Sequence, residues 1–119
     1  MRYLAAQSVA EATGALAAEA GVIRILSGGT DVLVQLKAGM VEPDLIVDVK
    51  KLPGMREIRA EGGGFRVGAA VAGAELGEHA AFCAAWPGVA EGFQLIGSTQ
   101  VQGRATMAGN LCNASPAAD

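Results

Sequence analysis

The sequence contains few aromatic residues, one histidine and two cysteines. Cys83 and Cys112 are too few for a disulfide framework, and together with His79 they cannot supply the four ligands of a structural zinc site. No apolar run approaches the roughly 20 residues of a transmembrane helix. Glu11 interrupts the N-terminal segment before any apolar run is long enough for a signal peptide. We therefore expect a cytoplasmic protein with no metal site and no membrane insertion.

Positive charge is also scarce, because 9 lysines and arginines face 12 acidic residues and give a formal net charge of −3. Nucleic acids are bound by clustered Lys and Arg, so no nucleic-acid partner is expected. The GxGxxG, GxxxxGK[ST] and GxSxG motifs are absent as well. No side chain stands out as a general acid, a general base or a nucleophile. We therefore assign no catalytic residue and expect any chemistry to come from a bound cofactor.

The hydrophobic fraction of 51% excludes a disordered chain, and the first fifty residues alternate between helix and strand patterns. A capping box at residues 8–11 predicts a helix that ends near Gly21. Apolar residues 22–26 and 45–49 predict buried strands, with a second helix from residue 32 between them. This order predicts an α/β unit with parallel strands.

The pattern changes after residues 52–54, where we place a boundary between a first subdomain, 1–52, and a second, 53–119. Residues 55–60 and 65–71 predict a hairpin around three glycines, and residues 74–85 and 88–96 predict helices. No periodicity is visible from Gly97 onwards. The residues after Pro116 are typical of a helix start, which predicts that the chain is part of a longer domain.

Two glycine-bearing segments are candidate binding sites for an anion. Residues 26–31, Leu-Ser-Gly-Gly-Thr-Asp, lie between a predicted strand and a predicted helix, so their main-chain amides are available to a diphosphate. The alternative is a tight turn in which Thr30 or Asp31 caps the helix. Residues 106–110 offer hydroxyl and amide donors with little steric bulk, and the alternative there is an ordinary polar loop.

Three other features have structural interpretations. His79 follows Gly77-Glu78 on a predicted helix and is expected to be a solvated surface residue. Cys83 on the same helix is expected to be a small core residue. The alternating charged residues at 57, 59 and 61 are expected to form the solvated face of a strand.

Three stretches of the sequence resemble a known family. These are residues 25–35, ILSGGTDVLVQ, residues 96–101, IGSTQV, and residues 106–119, TMAGNLCNASPAAD. They resemble the FAD-binding subunits of molybdenum-containing hydroxylases, which include medium subunits of xanthine and carbon monoxide dehydrogenases and the flavin subunit of hydroxybenzoyl-CoA reductase. The resemblance implies an α+β fold of the p-cresol methylhydroxylase type. A small parallel-stranded subdomain is then followed by a mainly antiparallel one, with FAD between them.

The resemblance also implies the residues that contact FAD. The first segment would wrap the flavin diphosphate and the second would close on it from the other subdomain. Ile96 would pack near the cofactor, and Ser115 and Asp119 would form hydrogen bonds to it. The complete expected set is Ile25, Leu26, Ser27, Gly28, Gly29, Thr30, Asp31, Val32, Ile96, Thr106, Ala108, Gly109, Asn110, Ser115 and Asp119.

By the same resemblance, electrons from a molybdopterin-binding large subunit would pass through an iron–sulfur small subunit to FAD. They would then reach NAD or oxygen. The chain departs from the family pattern at Ala108, where a glycine is usual, and at Gln102-Gly103, where Arg-Asn is frequent. Two alternatives remain open, namely a stand-alone flavin reductase of the same fold and a truncated, non-catalytic assembly module.

Overall fold

A computed structural model describes all residues, 1–119. The first part of the chain forms a three-stranded sheet with two helices. In chain order the elements are β1 (Arg2–Ala5), α1 (Val9–Ala18), β2 (Ile23–Leu26), α2 (Val32–Lys37) and β3 (Leu45–Asp48). All strand pairs are parallel and the strand order is β1-β3-β2, so the predicted parallel strands are confirmed.

Strand β1 was not predicted from the sequence. Its residues, RYLA, carry only partial burial and begin next to the chain terminus, so periodicity gives little signal. It pairs with β3, whose four residues are all buried in the centre of the sheet. The first part therefore contains three strands instead of two.

The second part begins with a hairpin and continues with helices. The elements are β4 (Ile58–Glu61), β5 (Gly64–Val67), α3 (Gly73–Glu78), α4 (Ala80–Ala85), α5 (Pro87–Gln94), α6 (Thr99–Gln102) and α7 (Met107–Asn113). Strands β4 and β5 are antiparallel, which confirms the predicted hairpin. Gly62 and Gly63 form its two-residue loop with φ of +57° and +79°, as a type I′ turn requires. No helix of the protein combines the length and apolarity needed to span a membrane.

Of the two ends of α1, only the N-terminal end was predicted correctly from the sequence. Ser8 is the N-cap, and its side chain accepts a hydrogen bond from the Glu11 amide at 3.1 Å. The helix ends at Ala18 with an extended Glu19, so the prediction that Gly21 terminates it is wrong. Gly21 is needed for another reason, because a Cβ there would lie 2.2 Å from the Asp44 carboxylate.

The single helix predicted for residues 74–85 is two short helices that meet at His79. This residue ends α3 and caps α4, since its Nδ1 accepts a hydrogen bond from the Phe82 amide at 3.1 Å. The imidazole also packs edge-on against Phe65, with ring centroids 5.7 Å apart. His79 is therefore a half-buried cap, and the expectation of a solvated surface histidine is wrong.

Residues after Gly97 are more regular than the sequence predicts. Ser98 and Thr106 cap two short helices, α6 and α7, through their hydroxyl groups. The residues after Pro116 form a turn in place of the predicted helix, with the Ala118 amide donating to the Ser115 carbonyl at 3.0 Å.

Two separate apolar clusters hold the fold together. The first packs α1 against the parallel sheet through Ala6, Ala12, Leu45, Val47 and Leu52. The second packs the hairpin against α3 and α4 around Val71, Leu76 and Phe82, with Cys83 half-buried beside them as expected. The charged positions 57, 59 and 61 of the hairpin are exposed, which confirms their predicted solvated face.

Candidate functional site

The two glycine-bearing segments, residues 26–31 and 106–110, lie side by side and line the same cavity. Gly28 lies directly against the main chain that precedes the second segment, so a Cβ at Gly28 would be 2.0 Å from the Arg104 carbonyl oxygen. The Ser27 hydroxyl donates to the Ala69 carbonyl at 2.7 Å. These contacts join the end of β2 to the second part of the chain and form the floor of a cavity.

The cavity has a volume of about 810 Å³, which lies in the range of small-molecule and cofactor sites. All the residues expected to contact a cofactor line it except Leu26. The lining members of that set are Ile25, Ser27, Gly28, Gly29, Thr30, Asp31, Val32, Ile96, Thr106, Ala108, Gly109, Asn110, Ser115 and Asp119. Leu26 lies outside the cavity wall and packs beside Gly29, where an added Cβ would be 3.0 Å from its Cδ1.

The turn between β2 and α2 presents unpaired main-chain donors to this cavity. The amides of Gly28, Gly29 and Thr30 donate to no acceptor within the protein. Gly29 has a φ of +82°, a conformation that favours glycine. Neither Thr30 nor Asp31 forms a side-chain cap on α2, so the alternative of a simple capped turn is wrong.

The second segment is the start of α7, and the alternative of an ordinary polar loop is wrong. Thr106 is buried, and its Oγ1 accepts a hydrogen bond from the Gly109 amide at 3.0 Å. Ala108 is the second residue of the helix and does not have a positive φ. The methyl group that replaces the usual glycine hydrogen is therefore compatible with the local backbone.

The C-terminal residues form an exposed rim of the cavity. Ala114 ends α7 in a left-handed conformation, with φ of +53° and ψ of +33°. This turn directs the chain so that Ser115 and Asp119 both line the cavity while remaining exposed.

Several residues that line the cavity were not predicted from the sequence. Arg24 lies four residues before Gly28 on β2, and Gln35 lies one helical turn after Asp31 on α2. A search for neighbours on the same strand and the same helix face would have found both. Val49, Ala69 and Cys112 also line the cavity, and no local pattern distinguishes them.

The buried carboxylate of Asp48 is linked through Lys50 to the turn between β2 and α2. Asp48 ends β3 and accepts hydrogen bonds from the Tyr3 hydroxyl, the Lys50 amide at 2.9 Å and the Lys50 Nζ at 2.7 Å. The Lys50 Nζ also donates to the Ser27 carbonyl at 3.4 Å. Burial alone would raise the pKa of Asp48, but these hydrogen bonds outweigh it and lower the pKa below its ordinary value. The carboxylate beside Tyr3 raises the pKa of that phenol.

The fold and the cavity define a class, an α+β domain with a cofactor-sized site between a parallel-stranded part and a helical part. The whole chain, residues 1–119, matches the family described as the FAD binding domain in molybdopterin dehydrogenase. The chain belongs to this family, and FAD is the cofactor that defines it. The resemblance identified from the sequence, the α+β fold class and the cofactor are thereby confirmed.

Curated relatives and solved structures give the same family. The chain is 31% identical over 117 residues to the carbon monoxide dehydrogenase medium chain of Hydrogenophaga pseudoflava, covering 98% of this chain and 41% of the relative. It is 34% identical over 118 residues to the xanthine dehydrogenase FAD-binding subunit of Escherichia coli O157:H7, covering 98% and 40%. A structure of the Hydrogenophaga pseudoflava carbon monoxide dehydrogenase superposes with a TM-score of 0.94 at 30% identity, covering 100% of this chain and 42% of that chain. The chain thus spans about two-fifths of the length of these relatives.

Proposed function

We propose that this chain is the FAD-binding portion of the flavin subunit of a multi-subunit molybdopterin-dependent oxidoreductase. The observation that carries the proposal is the cavity formed where the two glycine-bearing segments meet, with unpaired amides at Gly28, Gly29 and Thr30. These donors suit a diphosphate, because phosphate oxygens accept several main-chain hydrogen bonds at once. The family membership supplies the dinucleotide to which that diphosphate belongs.

In this proposal the chain binds and orients, and no side chain acts as a nucleophile or proton donor. Residues 25–32 hold the diphosphate, residues 106–110 close the opposite wall, and Ile96 packs near the ring system. Ser115 and Asp119 offer hydrogen-bonding groups at the rim. When bound, FAD supplies the redox chemistry, since it accepts electrons one at a time and passes on two. The close approach of Gly28 to the Arg104 carbonyl brings the two walls together.

We also propose the division into a first FAD-binding subdomain, residues 1–52, and an incomplete second one, residues 53–119. The two apolar clusters support this division, because the first draws its buried residues from positions 6–52 and the second from positions 71–82. The site would then lie between two separately packed units. Domain interfaces are a frequent location for cofactor sites.

The electron route and the partners are part of the same proposal. The relatives are named as medium chains or FAD subunits of dehydrogenases, which supports a place beside a molybdopterin-binding large subunit and an iron–sulfur small subunit. Electrons would leave through this chain to NAD or oxygen.

A cytoplasmic location is proposed on the two free thiols, Cys83 and Cys112, because a reducing compartment preserves them.

The test is reconstitution of the purified protein with FAD, followed by reduction and reoxidation. We expect one FAD per chain by absorbance, reduction by dithionite and reoxidation by oxygen or NAD. We also expect co-purification with the molybdopterin and iron–sulfur proteins when all three are co-expressed. FAD-dependent oxidation of NADH by the chain alone, without partner binding, would favour the stand-alone reductase. Partner binding without FAD uptake would favour the assembly module.

A further inference from the structure

Arg24 is a half-buried cation that faces the cavity without a counter-ion. It lies on the edge strand β2 and is the only lysine or arginine among the residues that line the cavity. Its guanidinium donates one hydrogen bond, from Nη1 to the carbonyl oxygen of Ile23 at 3.0 Å. No carboxylate lies within 4.0 Å of it, whereas Arg2 pairs with Glu19 and Arg66 pairs with Glu61.

The surroundings of Arg24 give it no structural partner on the sheet. Its paired residue on β3 is the apolar Ile46. Two carboxylates, Asp31 and Asp119, line the cavity, but neither forms an ion pair with Arg24. A guanidinium carries several N–H donors in a planar arrangement, and one carbonyl leaves most of them unused. A partly buried cation with unused donors is stabilised when an anion binds beside it.

We propose that Arg24 is the cationic phosphate-contacting residue of the dinucleotide site. This inference rests on the proposed FAD-binding function and adds a residue to it. The lining carries one cation and two carboxylates, so without Arg24 a diphosphate would enter a site of its own sign. Arg24 offsets that repulsion and can contact two phosphate oxygens at once, as guanidinium groups do. The main-chain amides of the turn then complete the diphosphate site.

The experiment compares FAD and riboflavin binding by the purified protein, since riboflavin lacks phosphate. Arg24→Gln removes the charge, Arg24→Lys keeps it without the planar fork, and Arg59→Gln is a control on the exposed hairpin. We expect Arg24→Gln to weaken FAD binding by about 10- to 100-fold, with a smaller loss for Arg24→Lys and none for Arg59→Gln. Riboflavin affinity should change little in any variant. The FAD affinity of the unaltered protein should fall with added NaCl, and that of Arg24→Gln should depend less on salt.

The outcomes separate this inference from the function on which it rests. Equal FAD affinity and equal salt dependence in the unaltered protein and Arg24→Gln would overturn the role of Arg24 while leaving FAD binding intact. Parallel losses for FAD and riboflavin would also overturn it, because they indicate a structural effect. A folded, unaltered protein that binds no FAD would overturn both. If Arg24→Gln fails to fold, Arg24→Lys and the salt dependence of the unaltered protein decide the matter.

Discussion

Gly28 occupies a position at which a side chain does not fit. The carbonyl oxygen of Arg104 would lie 2.0 Å from a Cβ at this position, a distance that real Cβ atoms do not adopt. Since the obstructing atom belongs to the backbone, the clash cannot be relieved by a rotamer change. Gly28 therefore allows close approach between two protein segments, in addition to its predicted place in the diphosphate site.

Gly28→Ala is expected to destabilise the protein and weaken FAD binding, because the two walls of the cavity must separate to admit the methyl group. The expected loss in the free energy of unfolding is about 1–3 kcal/mol. Gly14→Ala is the matched control, since Gly14 is in the interior of α1 and nothing lies within 4 Å of its added Cβ. The free energy of unfolding of Gly14→Ala should rise by about 0.5–1 kcal/mol. Urea denaturation and FAD titration measure both effects, and a neutral Gly28→Ala would contradict the contact.

Asp48 makes the free energy of unfolding depend on pH in the acid range. Its pKa is lower in the folded protein than in the unfolded chain, so the unfolded state binds more protons as the pH falls. The stabilisation is complete above the unfolded pKa of about 4 and is lost as the pH falls through the folded pKa of Asp48.

Asp48→Asn should lower the free energy of unfolding by about 1–3 kcal/mol at pH 7, because the charged hydrogen bonds to Lys50 and Tyr3 are weakened. The difference from the unaltered protein should shrink as the pH falls below 4. Urea denaturation at pH 7, 5, 4 and 3 measures it. A difference that stays constant over this range would show that the carboxylate charge is not responsible.

At the scale of elements, α7 gives the second wall of the cavity its shape. The buried Thr106 caps the helix, and its first turn carries Ala108, Gly109 and Asn110 into the lining. The hydroxyl of Thr106 also occupies the space beside Gly109, where an added Cβ would be 2.7 Å from Oγ1. The Thr106 cap therefore sets where the helix starts. It also leaves no room for a side chain at position 109, which explains the glycine there.

Thr106→Ala should shorten α7 at its start and lower the free energy of unfolding by about 0.5–2 kcal/mol, the usual contribution of an N-cap. FAD affinity should fall as well, since the first turn lines the cavity. Thr106→Ser retains the hydroxyl and should recover most of both losses. Thermal unfolding and FAD titration of the two variants are the measurements. Equal behaviour of Ala and Ser would contradict the capping role.

Local signals predicted some elements well and others poorly. The Ser8 cap and the Gly62-Gly63 loop were predicted correctly because each depends on a few adjacent residues. Helix α7 was missed because its seven residues include glycine and two asparagines, which have low helix propensity, so its cap was the only strong signal. At the break between α3 and α4, His79 also packs against Phe65, which is distant in sequence and gives no local signal.

At the scale of the whole molecule, the cavity lies where the first and second parts of the chain meet. The residues of the first segment come from a strand end, where parallel sheets commonly place their ligand sites, so their location was predictable. The contact between Gly28 and Arg104 was not, because it joins residues far apart in sequence through a backbone approach that leaves no periodic pattern. Small residues line both walls, including Gly28 and Gly29 on one and Ala108 and Gly109 on the other.

The central claim is that the turn at residues 28–30 binds the diphosphate of FAD through its main chain. The most direct measurement is residue-resolved amide hydrogen exchange of the protein with and without FAD. The amides of Gly28, Gly29 and Thr30 have no acceptor in the protein, so they should exchange rapidly alone and at least about tenfold more slowly with FAD bound. Saturating FAD binding that leaves these three amides unprotected would contradict the account.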